Sequence, residues 1–423
     1  MKKYLNARNS SKDRYLEKGN DMKKNQVAFS TPSIDKKEQD AVLKVIKSGW
    51  LTTGKVTNEF EQLFSDFMNK PFDKKNILSL AVNSNTSGMT LAMQVCGVTK
   101  NTAIITTPYT FVSTAACAKH LGADVVFCDI EKNSYNIDAD KIEKILLENE
   151  KTKKYNFKAI VPVHIAGNVC NMKKINSLAK KYKLYVIEDA AHAFPSLTSN
   201  GYAGSLSDIG VFSFYATKPL TTAEGGMVCT RNKELYKKMQ ILRLHGMDRT
   251  TWDRYTSVKA NYLYDIVELG YKCNLPDILS AIGIIQLKKS NQFLKKRTKI
   301  CQIYNKEFSK CNYLEIPPND EGNAWHLYLL RLNLDKLSID RDEFAKKLQD
   351  KGIGISVHFI PLFYFTYWKN LYKNFTKENF PNANNQFIRT ISIPLWPDMT
   401  EQNIYDTINT IKEIGEKYYI TSK

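Results

Sequence analysis

Between residues 77 and 230, short apolar runs alternate with segments of helical period, and this alternation constrains the fold more than any other feature of the chain. The runs lie at 77–82, 103–107, 125–129, 159–163, 184–188, 209–214 and 226–230. Each has the length of a strand, and most are separated by enough chain for a helical crossover. That order predicts an α/β domain: a mostly parallel central sheet with helices on both faces. Ahead of it, Asp35-Lys-Lys-Glu38 has the spacing of a capping box and predicts a helix with apolar Ala41, Val42, Val45 and Ile46 that stops at Gly49. Trp50 to Gly54 follow as a loop. Beyond Leu287 the pattern changes to a long Lys-rich helix, a strand at 327–332, a helix at 341–351, a strand at 353–359 and a last helix near 401–417. This predicts a smaller α+β domain, giving a flexible arm over 1–25, a large domain over 26–288 and a small one over 289–423.

At 423 residues and 43% hydrophobic content the chain can bury both cores. It has no apolar run of the roughly 18 residues needed to span a membrane. Its opening, polar and rich in Lys and Asn, lacks the core of a signal peptide, so a cytoplasmic protein is expected, with Met22 as an alternative start. The eight cysteines are dispersed and form no Cys-x-x-Cys pair, which points to free thiols instead of disulfides or a metal site. A net charge of +18 raises nucleic-acid binding as a second class of function. The lysines are scattered over helix faces, however, as in Lys36-Lys37, Lys180-Lys181 and Lys288-Lys289, which is the pattern of a solvated surface, and no nucleic-acid partner is expected.

Three segments at strand ends carry chemistry. Ser84-Asn-Thr86-Ser87-Gly88 opens a helix, expected from Met89 onward, and sets hydroxyls and free N–H groups at its positive end, a cradle for a phosphate. Glu188-Asp189-Ala-Ala-His192 places carboxylates where open α/β sheets bind ligands, and an Asp there can keep a ring nitrogen protonated. Lys218 follows the strand at 209–214 and, desolvated by its neighbours, could attack an aldehyde as a Schiff-base nucleophile.

With these segments in order, the chain resembles the DegT/DnrJ/EryC1/StrS sugar aminotransferases, fold-type I enzymes that use pyridoxal 5′-phosphate (PLP). Further markers are Ser48 to Gly54, Pro108-Tyr-Thr-Phe111, Thr222-Ala-Glu-Gly-Gly226, Gly270 to Asp277, Ala324-Trp-His-Leu-Tyr328, Val357-His-Phe-Ile-Pro361 and Pro394 to Thr400. The resemblance runs from about Ala28 to Lys417 and makes the large domain the PLP-binding one. It implies that Lys218 forms the Schiff base with the cofactor and then shuttles protons. Asp189 would pair with the pyridine nitrogen, His192 would lie near the phenolic oxygen, Phe111 would stack on the ring, and Thr86, Ser87 and Ser213 would hold the phosphate. Asn274 matches a position that binds the phosphate of the neighbouring subunit, implying a homodimer with shared sites. Thr52 and Thr53 match a loop facing the sugar nucleotide. His164 and His358, both at strand ends, could contact substrate hydroxyls or merely anchor backbone, with the substrate side favoured, more so for His358.

The implied reaction moves an amino group from L-glutamate, leaving 2-oxoglutarate, to a nucleotide-linked keto-sugar for glycan biosynthesis. The likeness is greatest to enzymes of the UDP-4-amino-4-deoxy-L-arabinose synthase type, on the Gly-Tyr-Lys-x-Asn-Leu stretch, the Glu188–Ala193 run and the segment from Arg254 to Gly270. Amination at C3 is an alternative. Sugar dehydration is another, but relatives that dehydrate carry His where this chain has Lys218. The chain departs from the family pattern at Tyr215, Pro219 and Cys273.

Overall fold

The computed structural model describes residues 27–71, 76–248, 263–318, 322–373 and 375–420. The arm expected at 1–25 and the part of the Arg254–Gly270 segment up to 262 lie outside the described residues. Helices α1 (Lys36–Ser48) and α2 (Lys55–Asn69) lead into the strands β1 (Leu78–Val82), β2 (Ala103–Thr106), β3 (Asp124–Phe127), β4 (Phe157–Ile160), β5 (Tyr185–Asp189), the short hairpin β6 (Leu197–Thr198) and β7 (Gly201–Tyr202), then β8 (Ile209–Ser213) and β9 (Gly226–Thr230). Interleaved are α3 (Asn85–Val95), α4 (Ser113–His120), α5 (Ala139–Thr152), α6 (Met172–Tyr182) and α7 (Lys233–Arg243).

Seven strands form one sheet in the order β1-β9-β8-β5-β4-β2-β3, in which only β9 runs against the others. All seven apolar runs of the sequence became its strands. Successive residues point to opposite faces, and both faces are buried. Leu80, Val82, Ile104, Ala159, Ile187, Val211 and Val228 pack beneath α3, α4 and α7. On the other face Ala81, Phe212, Met227 and Cys229 pack with Phe60, Phe64 and Phe67 of α2, and Ala103, Ile105, Ile160 and Val186 with α5 and α6.

The 32-residue helix α8 (Asp277–Phe308) runs from this layer into a second core, so residue 288 falls inside one continuous helix. There β10 (Leu314–Glu315), β11 (Tyr328–Leu332) and β12 (Thr390–Ile393) make an antiparallel sheet, with α9 (Arg341–Asp350), the short helices α10 (Thr366–Leu371) and α11 (Pro381–Arg389), and α12 (Glu401–Lys417). Val27 belongs to this second core and pairs with Ile353.

The capping box closes α1 as its spacing predicts: Asp35 accepts from the Lys37 N–H at 2.8 Å, Glu38 reaches back to the Asp35 N–H at 3.0 Å, and Gly49 ends the helix in the left-handed region at φ 74°. Two local expectations are corrected. Residues 353–359 form no strand; their β pairing is confined to isolated bridges at Ile353 and Ser356. Helix α3 begins at Asn85 instead of Met89, so the Ser-Asn-Thr-Ser-Gly segment is its first turn. All eight cysteines are free, and seven are buried. Among the described residues no helix is long and apolar enough to cross a membrane, and no cluster of His, Cys, Asp or Glu is arranged to hold a metal.

Candidate active site

Strand register brings three of the chemical segments together. Val82, Gly226 and Ser213 are paired across β1, β9 and β8, and Asp189 on β5 pairs with Val211 of β8. The phosphate cradle after β1, Asp189 and the turn carrying Lys218 therefore leave the sheet at one edge. A β-carbon on Gly226 would meet Asn85 N at 2.8 Å and Phe212 O at 2.7 Å, so only glycine lets the helix terminus seat against the sheet. Ser84 caps that helix by accepting from the Ser87 N–H at 3.1 Å.

Above this edge lies a cavity of about 500 Å³. Thr86, Phe111, Asp189, His192, Ser213, Lys218 and His358 all line it, together with Phe29, Asn85, Tyr215, His326 and Phe359. Asp189 is buried and both its oxygens are hydrogen-bonded: Oδ2 accepts from Thr114 Oγ1 at 2.7 Å, and Oδ1 from the Ala191 N–H at 3.2 Å and Asn85 Nδ2 at 3.3 Å, which leaves acceptor capacity on Oδ2. Burial pushes its carboxyl above the ordinary range, against the pull of those donors and of the Lys218 charge. Burial acts the opposite way on Lys218, lowering its ammonium to about 8 despite the attraction of Asp189. Lys218 is half-buried in the cavity wall, and this burial leaves its charged form poorly solvated. Roughly a tenth to a fifth of its amine is then neutral between about pH 7 and 7.4, far more than for an ordinary lysine at about 10.4.

His192 is held on several sides. Its Nδ1 accepts from the Ala166 N–H at 3.3 Å, which places the ring proton on Nε2. Its ring stacks on Phe359 at 5.3 Å and meets His326 edge-on at 4.4 Å. His358 Nδ1 lies 2.9 Å from Ser392 Oγ, and its ring stacks on Phe29. Burial, with the nearby Lys218 charge, keeps all three imidazoles neutral, His358 down to about 3.

Other expected site residues lie elsewhere. Ser87 sits half-buried beside Ser84, just off the lining. His164 is a correction: it is fully buried, outside the cavity, with Nε2 2.9 Å from Glu188 Oε2 and Nδ1 accepting from the Cys170 N–H, so it offers no edge to a substrate. Thr52, Thr53 and Asn274 do not reach the cavity of their own chain. They form one patch, where Asn274 Nδ2 bonds Thr53 Oγ1, Thr53 Oγ1 donates to Leu275 O, and the Asp277 N–H donates to Thr52 O. Asp277 fixes this patch by accepting from the Gly54 and Thr57 N–H groups at 2.7 and 2.9 Å. Sequence reasoning missed Asn85 and Thr114, whose contacts with Asp189 span 104 and 75 residues, and gave His326 no role beyond its motif.

Residues 32–412 match the model of the DegT/DnrJ/EryC1/StrS aminotransferase family. The chain belongs to that family. Its members are PLP-dependent enzymes of fold type I. Among its relatives, the spore coat polysaccharide biosynthesis protein SpsC of Bacillus subtilis is 38% identical over 91% of this chain and 96% of its own. The UDP-4-amino-4,6-dideoxy-N-acetyl-beta-L-altrosamine transaminase of Campylobacter jejuni is 36% identical over 93% and 99%. Among solved structures, Spr1654 of Streptococcus pneumoniae in its pyridoxamine phosphate (PMP) form superposes with a TM-score of 0.84 at 29% identity, covering 92% of this chain and 99% of that one, and it has also been solved in a PLP form.

The residues present fit PLP on their own geometry. A helix terminus and hydroxyls face the cavity for a phosphate, a lysine with a depressed pKa faces it for an aldehyde, and a buried carboxylate faces it for a ring nitrogen. His326 Nδ1, buried with no partner, is a further polar atom in the wall. One consequence is measurable: because only the neutral amine attacks an aldehyde, the rate at which the cofactor-free protein takes up PLP should rise with pH and level off above about 8. A midpoint near 10 in stopped-flow absorbance would contradict the desolvation of Lys218.

Proposed function

We propose that this aminotransferase carries PLP on Lys218 and moves an amino group from L-glutamate to the keto group of a nucleoside-diphosphate sugar, at C4 and with uridine as the base. The observation that carries this reading is the pairing in one cavity of an amine lowered to about 8 with a buried, multiply bonded carboxylate. When bound, PLP supplies an electron sink for the electrons released as a C–H bond beside nitrogen breaks.

The chain's own groups do the rest. The α3 terminus, Thr86 and Ser213 hold the phosphate, and Phe111 covers one ring face. Asp189 would keep a proton on the ring nitrogen, because its carboxylate charge favours a pyridinium beside it. Lys218 would be the group that moves the proton, at Nζ. The three neutral imidazoles present uncharged polar edges suited to sugar hydroxyls, His358 foremost.

The choice of C4 and of uridine leans on the name of the Campylobacter relative, a transaminase of a UDP-4-amino sugar. Incubation with L-glutamate and UDP-linked 4-keto or 3-keto sugars, read by product mass and NMR, tests it; a 3-amino product would overturn the position. The Thr52–Thr53–Asn274 patch, which does not line its own chain's cavity, supports a homodimer in which it completes the partner's site. Mixed dimers of Lys218→Ala and Asn274→Ala chains should then recover about a quarter of native activity, one intact site in half of the dimers. No recovery would place Asn274 in its own chain's site.

A further inference from the structure

The turn after β4, from Pro162 to Asn168, touches both groups assigned to the cofactor, and a buried side chain anchors it. Pro162 O accepts from the Asp189 N–H at 2.9 Å, and the His164 N–H donates to Asp189 O at 3.1 Å, so the backbone of Asp189 is held by this turn on both sides. Two residues later Ala166, in the left-handed region at φ 59°, donates to His192 Nδ1, and its carbonyl accepts from the His326 N–H at 3.0 Å. Few non-glycine residues adopt that conformation unless the surroundings impose it. Ser196 Oγ, donating to Gly167 O at 2.6 Å, and Asn136 Oδ1, accepting from the Ile165 N–H at 3.1 Å, help to impose it.

His164 supplies the side-chain anchor. Its Nδ1 accepts from the Cys170 N–H at 3.2 Å, so the proton resides on Nε2 and is donated to Glu188. Glu188, also fully buried, accepts four bonds: from His164, from the Gly204 N–H at 2.7 Å, from the Leu206 N–H at 2.8 Å and from Ser207 Oγ at 2.9 Å. Every partner is a donor, so the site accepts a carboxylate and disfavours an amide, whose NH₂ would face an N–H. Glu188 neighbours Asp189 on β5, which closes a ring of contacts from Glu188 through the His164 imidazole and backbone to Asp189.

We infer that His164 is a positioning residue: through Glu188 it locks the 162–168 turn, and the turn fixes the place of Asp189 and the tautomer of His192. This rests on the reading of Asp189 and His192 as cofactor-facing groups. Losing the anchor should loosen both together, whereas a mere packing role would cost stability and leave the cofactor's environment alone.

The test is a pH titration of the visible absorbance of the PLP-loaded holoenzyme, whose midpoint reports the groups around the ring: Asp189, His192, Lys218, His326 and His358. His164→Gln places an amide nitrogen near the position of Nε2 and keeps the bond to Glu188; His164→Asn and His164→Phe lose it. The midpoint should stay within about 0.2 units of native in the Gln variant and move by roughly half a unit or more in the other two, with kcat reduced about tenfold or more and KM for the nucleotide sugar little changed. Native titration in folded His164→Asn or His164→Phe would overturn the inference. If neither folds, Glu188→Gln breaks the same anchor from its other side: a displaced midpoint is then expected, and a native one overturns the inference, as does a displaced midpoint in His164→Gln. A native protein with no visible band would instead defeat the cofactor reading.

Discussion

Lys218→Ala should reduce turnover below roughly a thousandth of the native rate, the scale of a lost general acid–base group, while the protein stays folded and still binds PLP. Lys218 lines the cavity, so its truncation enlarges that space and is not expected to unfold the chain. The phosphate cradle, the carboxylate and the aromatic wall remain, and these hold the cofactor without the covalent link. What disappears is the amine that is desolvated enough to be neutral near pH 8 and close enough to move a proton. Steady-state turnover and circular dichroism check this together. A folded variant within tenfold of native turnover would remove Lys218 from the mechanism.

Asp189→Asn should cost about a hundredfold to a thousandfold in kcat, the range seen when a preorganised electrostatic partner is removed. The amide matches the carboxylate in size, and with its oxygen toward the Ala191 and Asn85 donors and its NH₂ toward the Thr114 hydroxyl it stays hydrogen-bonded, so the change is one of charge. It no longer holds a proton on the ring nitrogen. Stability should move differently. Burial raises the pKa of this carboxyl, so in the folded protein the charged form is disfavoured relative to the unfolded chain. Neutralisation relieves that cost, and the thermal midpoint should be unchanged or slightly higher. A large drop in stability with little loss of kcat would make Asp189 a structural residue.

The sheet was legible because its strands are buried on both faces and read as apolar runs bounded by turns and helices. The second core was less so. The strand β12, four residues long between α11 and Pro394, has too little sequence to show a period. Residues 353–359 have the composition of a strand, yet the chain there bends between the two cores and carries His358 to the cavity. Single segments revealed the cavity residues that leave strand ends, such as Asp189 and Lys218. They could not separate His164 from His326. Both histidines lie beside apolar runs, and what distinguishes them is Glu188, which reaches His164 from the neighbouring strand, and Ala166, which bonds the His326 backbone across 160 residues of chain. Likewise nothing near Asn85 or Thr114 in sequence announces Asp189.

The most direct test of the account is the visible spectrum of the purified, PLP-incubated protein before and after L-glutamate is added. A yellow band that bleaches toward the near-ultraviolet on addition of the amino acid, and is absent in Lys218→Ala, is the predicted result. No band, or one indifferent to every amino donor, would contradict the assignment of transamination to this cavity.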